Sequence, residues 1–160
     1  MSMGSYGYNA GQWRVENHPR MMTDVNGDGK ADVVGFGNAG VYVSLSTGTG
    51  FTSPSLWVKQ YGHDAGGGRV TKHPRMMADV NGDGKADVVG FSDDGVYYSL
   101  SQKTSFASPV HAIQKFGYVA DGWRIDKHPR MMADINGDGK ADIVGFANNG
   151  VHVSLSPLSK

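Results

Sequence analysis

The chain has 160 residues, with 15 basic and 15 acidic side chains, no cysteine and 24 glycines. A balanced charge leaves no footprint for nucleic acid or an anionic membrane surface, and no apolar run is long enough to span a bilayer. The missing thiols exclude disulfides, thiol chemistry and cysteine-ligated zinc, and the glycine content predicts turns.

Met1 to Tyr6 shows no charged head followed by an apolar segment, so no signal peptide is visible. A cytoplasmic or non-classically secreted protein is expected. A turn-rich connection, Gly7 to Pro19, comes next, followed by a short apolar run, Arg20 to Thr23. The acidic loop Asp24 to Asp32 leads into valine-rich Ala31 to Phe36. Gly40 to Ser46 alternates, with Val41, Val43 and Leu45 on one face and Tyr42 and Ser44 on the other, the period of a half-buried strand. Ser55 to Tyr61 is a weaker fourth strand. No segment has a helical period.

The pattern then repeats. The segment HPRMM-x-D-[VI]-NGDGKAD-[VI]-VGF begins at His18, His73 and His128, a spacing of 55 residues each time. Four strands in a repeat of about 46–55 residues predict an all-β fold, a β-propeller of four-stranded blades with three blades per chain. Residues 1–160 read as a single domain with units near 7–61, 62–116 and 117–160. The third unit has no counterpart of Thr47 to Tyr61, so it is expected to lack its outermost strand. Three blades do not close a ring, and an open array exposes two edges. A homo-oligomer is expected, most simply a dimer forming a six-bladed ring.

Each acidic loop carries the first part of a calcium-loop pattern. Asp24, Asn26, Asp28 and Asp32 fall at positions 1, 3, 5 and 9, the Lys30 carbonyl at 7 and Gly29 at 6. Asp79, Asn81, Asp83, Lys85 and Asp87 repeat the set, as do Asp134, Asn136, Asp138, Lys140 and Asp142. Position 12 is Gly35 rather than a bidentate glutamate, and no helices flank the loop. A calcium loop between two strands is expected, against the plainer alternative of Asx-turns.

In an up-and-down blade the calcium loop and the third-to-fourth-strand loop share one face. The blade-to-blade connection and the second-to-third-strand loop share the other. That second face gathers Tyr8, Trp13, Arg14, His18, Arg20, Phe36 and Asn38 in the first unit. It gathers His73, Arg75 and Phe91 in the second. In the third it holds Tyr118, Trp123, Arg124, His128, Arg130, Phe146 and Asn148. Aromatic faces with amide, imidazole and guanidinium groups suit a sugar ring and its hydroxyl or acetamido groups. The plainer alternative has Trp13 and Phe36 plug the seam while Arg20 holds the loop. The middle unit differs, with Gly68 in place of Trp13 and His63 in place of Tyr8.

The run FGYVADGWRIDKHPRMMADINGDGKADIVGFANNGV, Phe116 to Val151, resembles the repeats of the Psathyrella velutina lectin family. The loops also resemble, more broadly, the calcium-bearing FG-GAP repeats of integrin α propellers. The first resemblance implies a seven-bladed propeller with calcium in its loops. It also implies binding of N-acetylglucosamine (GlcNAc) and sialylated glycans in pockets between blades, without insertion into membranes. The expected function is therefore a multivalent lectin, and the integrin likeness suggests a protein-interaction module as the alternative. An enzyme is not expected: the acids cluster in the loops, and Glu16, Asp64 and Asp121 do not repeat in register as a pair.

Overall fold

The computed structural model describes residues 3–156; the ends of the 1–160 reading, residues 1–2 and 157–160, lie outside it. All its regular structure is β. In chain order the strands are β1 (Arg20–Thr23), β2 (Asp32–Phe36), β3 (Val41–Ser44), β4 (Ser55–Val58), β5 (Arg75–Ala78) and β6 (Asp87–Phe91). They continue with β7 (Val96–Ser99), β8 (Val110–Ile113), β9 (Arg130–Ala133), β10 (Asp142–Ala147) and β11 (Gly150–Ser154). They form antiparallel meanders: β1–β2–β3–β4, β5–β6–β7–β8 and the three-stranded β9–β10–β11. These are three blades of a β-propeller. Among the described residues no helix is long and apolar enough to cross a membrane.

Each blade is built by the same local rules. The acidic loop reverses the chain between the first two strands, with Gly29 at φ +80°, a conformation that strains residues with a Cβ. Thr23 thereby pairs with Asp32 and Arg20 with Gly35. Asp32 is fully buried at the start of β2. Its carboxylate accepts from the Val25 amide at 3.1 Å and the Ser46 amide at 2.7 Å, tying the loop to the end of the third strand. Asp87 and Asp142 repeat both bonds. The acidic loop and the third-to-fourth-strand loop thus share a face, as the alternation of turns requires.

The core lies between blades. Phe36, Val41, Val43 and Trp57 of the first blade pack with Tyr61, Ala86, Val88 and Phe106 of the second. Phe91, Val96 and Tyr98 of the second pack with Phe116, Trp123 and Ile143 of the third. Polar bonds stitch both seams at equivalent places. The Ala86 amide donates to the Asp24 carbonyl at 2.9 Å and the Ala141 amide to the Asp79 carbonyl at 2.8 Å. The Ser101 hydroxyl donates to the Val25 carbonyl, and Ser156 repeats the bond to Val80 at 2.7 Å.

On the opposite face, the connection leaving the first blade docks on that blade's β2–β3 turn. The His63 amide donates to the Gly37 carbonyl at 3.0 Å, and the Asp64 and Ala65 amides to the Asn38 carbonyl at 3.1 and 3.0 Å. The connection then crosses to the next blade.

Candidate functional site

The connection of the first unit is held in shape by its own backbone. The Trp13 amide donates to the Gly7 carbonyl at 3.0 Å and the His18 amide to the Arg14 carbonyl at 2.7 Å. The Arg14 amide donates to His18 Nδ1 at 3.0 Å, which makes Nδ1 an acceptor and places the ring proton on Nε2. Nε2 then donates to Asn38 Oδ1 at 2.7 Å. His18 is therefore a clamp between the connection and the β2–β3 turn. His128 repeats it with Asn148 at 3.1 Å, and His73 with Asp93 at 3.0 Å.

Trp13 lies inside this clamp. Its ring sits 4.9 Å from Tyr6 and meets His18 edge-on at 5.3 Å and Tyr42 edge-on at 6.1 Å. It presses on β2, where a Cβ on Gly35 would come 2.5 Å from Trp13 Cη2. Close approach requires glycine there. Beside the indole is a cleft of about 390 Å³ whose walls include Gln12, Trp13, His18, Asn38, Tyr42 and Pro54. It offers an indole and a phenol ring, with the Asn38 amide group free to donate while its oxygen serves His18.

The residues expected on this face separate into three groups. Trp13, His18 and Asn38 converge on the cleft. Arg14 lies over the Tyr8 ring at 3.7 Å and donates to the Tyr8 carbonyl at 2.7 Å, an outer pair with Tyr8 mostly exposed. Arg124 and Tyr118 repeat the pair at 3.9 Å. Arg20 and Phe36 turn inward: Phe36 is fully buried, and Arg20 donates to the Tyr6 carbonyl at 2.8 Å. Arg75 and Arg130 make the same bond to Tyr61 and Phe116 at 3.1 and 3.0 Å, and reach the preceding blade's Asn17 and Lys72 carbonyls at 3.5 Å. Burial, and secondarily a neighbouring arginine, lowers both guanidinium groups to about 10. Phe91 is buried in the second seam, and Phe146 is partly exposed on the third blade.

Three of the named walls of the cleft, Gln12, Tyr42 and Pro54, were not among the expected residues. The alternation of β3 had already put Tyr42 on the face away from Val41 and Val43, which was the available signal. Tyr97 and His152 take its place in the other units. Tyr97 donates to Asp94 at 2.8 Å, and His152 shares a hydrogen bond with Asn149 at 2.8 Å. The Tyr97 bond holds the Asp94 carboxyl below its usual range.

The acidic loops on the other face hold themselves together. Asp24 accepts from the amides of Asn26, Gly27 and Gly29 at 3.1, 2.7 and 2.7 Å. Lys30 Nζ reaches Asp28 at 2.7 Å, and Lys85 Nζ reaches Asp83 at 2.6 Å. Among the described residues no three Asp, Glu, His or Cys side chains converge as a metal cage. The donors at each tip are nonetheless hard oxygens, the type calcium takes, and Lys30 and Asp28 are both solvent-accessible.

Residues 79–145 match the FG-GAP-like repeat family. No curated protein matches the chain. A solved structure concerning specific recognition of non-reducing terminal N-acetylglucosamine by an Agrocybe aegerita lectin is similar at 44% identity, with a TM-score of 0.93. That likeness covers 96% of this chain and 39% of the lectin chain, so this chain spans about two-fifths of the lectin's length. Two further solved structures share the fold alone. The Photorhabdus luminescens Tc holotoxin pore with the TccC3-D651A mutation is 19% identical, with a TM-score of 0.64. It covers 89% of this chain and 6% of its own. The TcdB2-TccC3-Cdc42 complex is 21% identical, with a TM-score of 0.65, over 89% of this chain and 7% of its own.

Proposed function

We propose that the chain is a multivalent carbohydrate-binding module that takes terminal N-acetylglucosamine in the cleft beside Trp13 and at the equivalent position beside Trp123. The carrying observation is the 44% identity, over nearly the whole chain, to a lectin whose structure concerns that sugar. The cleft chemistry agrees. The Trp13 and Tyr42 rings offer apolar surface to the sugar, and the Asn38 amide group can donate to a hydroxyl or an acetamido oxygen. Repeated weak sites gain avidity on a surface that presents many glycans. A binding role rather than catalysis also suits carboxylates that are spent on backbone amides.

A glycan array and calorimetry test this reading. Terminal GlcNAc glycans should bind and free GlcNAc should compete; sialylated glycans form a second arm for the wider specificity. Asn38→Ala with Asn148→Ala should weaken binding about tenfold, the loss of one hydrogen bond per site. A blank array overturns the proposal.

Two further parts belong to this reading. Calcium is a structural ion of the acidic loops, held by the oxygens of Asp24, Asn26, Asp28 and Asp32 and the Lys30 carbonyl once Lys30 Nζ releases Asp28. Bound calcium supplies charge neutralisation at the loop tip. In addition, two copies close a six-bladed ring. The three strands of the third blade carry outward carbonyls and apolar side chains equivalent to those that the first three strands of the other blades use in their seams, while β4 and β8 have no counterpart among them. The first blade carries the complementary Ala31 amide and Phe51 ring, both exposed.

A further inference from the structure

We infer that the middle unit holds a separate binding site for a flat aromatic cation, a ring system of indole size bearing an ammonium on a short arm. The inference does not rest on sugar binding. In the first and third units an indole fills one slot. Trp13 presses on Gly35, and Trp123 presses on Gly145, where a Cβ would come 2.4 Å from its Cη2. The Trp123 slot is walled by Phe116 at 5.1 Å and His128 at 5.6 Å, with the Arg130 guanidinium 6.0 Å from the ring.

The second unit keeps every wall and loses the occupant. Tyr61, His73, Arg75 and Gly90 stand where Phe116, His128, Arg130 and Gly145 stand in the third unit. The residue at the tryptophan position is Gly68. The connection keeps its anchoring bond but draws in by part of a side chain's width, since a Cβ at Gly68 would stand 2.8 Å from the Tyr61 carbonyl and 2.9 Å from Arg75 Nη1. The Gly68 amide still donates to the Gly62 carbonyl at 2.8 Å, as Trp13 and Trp123 donate to Gly7 and Gly117 at 3.0 and 3.1 Å.

The result is a larger opening. The cleft here is about 530 Å³ against about 390 Å³ in the first unit. Its floor reaches Tyr61, Arg75, Gly90 and Phe91, whereas the first cleft stops at the Trp13 ring. Atoms facing a void lose their dispersion contacts, and the Tyr61 and Phe91 rings in this cleft give an aromatic molecule apolar surface to lie on. Arg75 is buried, and its Nε has no hydrogen-bond partner, as Arg130 Nε has none beside the Trp123 ring. A π-face laid against that guanidinium recovers a cation–π contact of the sort Arg130 makes with Trp123.

The rim sets the charge of the ligand. Where the first unit has Asn38 and Ala39 and the third has Asn148 and Asn149, the second has Asp93 and Asp94. Asp94 lines the cavity, and Asp93 stands beside it on His73. A neutral ring at the arginine and an ammonium at the aspartates satisfy both ends.

Calorimetry with tryptamine, indole and indole-3-acetate tests the site on the intact chain. One molecule per chain should bind. Tryptamine should bind roughly twofold to fivefold more tightly than indole, in the range of an exposed ion pair, and indole-3-acetate most weakly. Trp13→Gly should add a second indole site without the tryptamine preference. Gly68→Trp should abolish the original site. A Cβ at Gly68 would come 2.8 Å from the Tyr61 carbonyl, so that variant needs the backbone to ease. Asp94→Asn is the gentler check, removing the preference for tryptamine while indole still binds. No heat from any of the three probes at millimolar concentration overturns the site, as does unchanged binding in folded Gly68→Trp. Equal affinity for tryptamine and indole-3-acetate overturns the cation. The probes carry no sugar, so a blank glycan array leaves these results standing.

Discussion

The face that the second blade turns toward the third and the face that the third blade turns outward are made of equivalent residues in opposite surroundings. Phe91 is 1% exposed and its counterpart Phe146 is 41% exposed. Val96 is 1% exposed and Val151 58%. Val80, Tyr98 and their counterparts Ile135 and Val153 divide the same way. The repeat therefore encodes an interface as much as a blade, and one copy of that interface is left open within the chain. A contiguous apolar patch on a protein surface marks an association site. In the proposed ring that patch is covered by the incoming side of the first blade of a second copy.

The largest expected effect comes from cutting the two phenylalanines. Phe91→Ala removes a ring from the interior of a seam and should cost about 3–5 kcal/mol in urea unfolding. Phe146→Ala should be nearly silent in an isolated chain, because the ring is half in water. In a closed ring it should cost as much as Phe91→Ala, and the cost should depend on protein concentration, since folding and association are then linked. We expect the second result, with light scattering giving twice the chain mass for the native protein and a single chain for Phe146→Asp. A native protein that stays at one chain mass across the concentration range would break the comparison and leave the outer face as plain surface.

Calcium should act next most strongly. A site filled at a hundredfold excess over its Kd stabilises by about 2.7 kcal/mol, roughly 5–10 °C in Tm for a chain of this size. Thermal unfolding with EDTA and then with added calcium reads this directly, and unchanged melting in both removes the ion from the loops. The loops also sharpen the contrast between seam and edge. The Asp24 and Asp79 carbonyls each receive an amide from the next blade. Within one chain the Asp134 carbonyl faces no next blade. Weakening the third loop with Asp134→Ala should therefore cost less than Asp79→Ala in a lone chain and about the same in a closed ring.

Much of this was legible in the residues. The apolar runs and the NGDGKAD loops located the inner strands to within a residue or two: Ala31 to Phe36 became Asp32–Phe36, and Gly40 to Ser46 became Val41–Ser44, while the weaker Ser55 to Tyr61 became Ser55–Val58. Alternation of turns was enough to assign the faces, because antiparallel strands leave no other choice. The roles of individual polar residues were less accessible. The imidazole of His18 looks like a ligand-binding group until the Arg14 amide is found on one nitrogen and Asn38 on the other. Arg20 looks like a charge on a surface loop, yet it serves a backbone carbonyl. Such bonds join atoms across a turn or a blade, and no spacing in the chain announces them. The Gly68 difference was visible, but its consequence was not. Whether a missing indole leaves a collapsed loop or an open slot depends on backbone bonds that survive without it.

The smallest effect concerns the tyrosine at the root of each connection. Tyr61 shares a hydrogen bond with Ser99 Oγ at 2.9 Å and Tyr6 with Ser44 Oγ at 3.2 Å, while the third unit carries Phe116 and makes no such bond. At neutral pH Tyr61→Phe should cost about 1 kcal/mol, the net worth of one hydrogen bond. Alkaline pH should reverse the order. Burial raises the Tyr61 phenol well above its ordinary value of 10.0, outweighing the opposing effect of the Ser99 bond. The unfolded chain therefore gives up this proton near pH 10 while the folded chain keeps it. The stability tied to the neutral phenol is complete below pH 10 and drains away as the pH climbs above it. Phenylalanine has no proton to lose. Tyr61→Phe should unfold at a higher pH than the native chain, and absorbance at 295 nm should show one fewer late-titrating phenol. If the native chain and the variant unfold at the same alkaline midpoint, Tyr61 is not held neutral by the seam, and the first seam is wetter than the second.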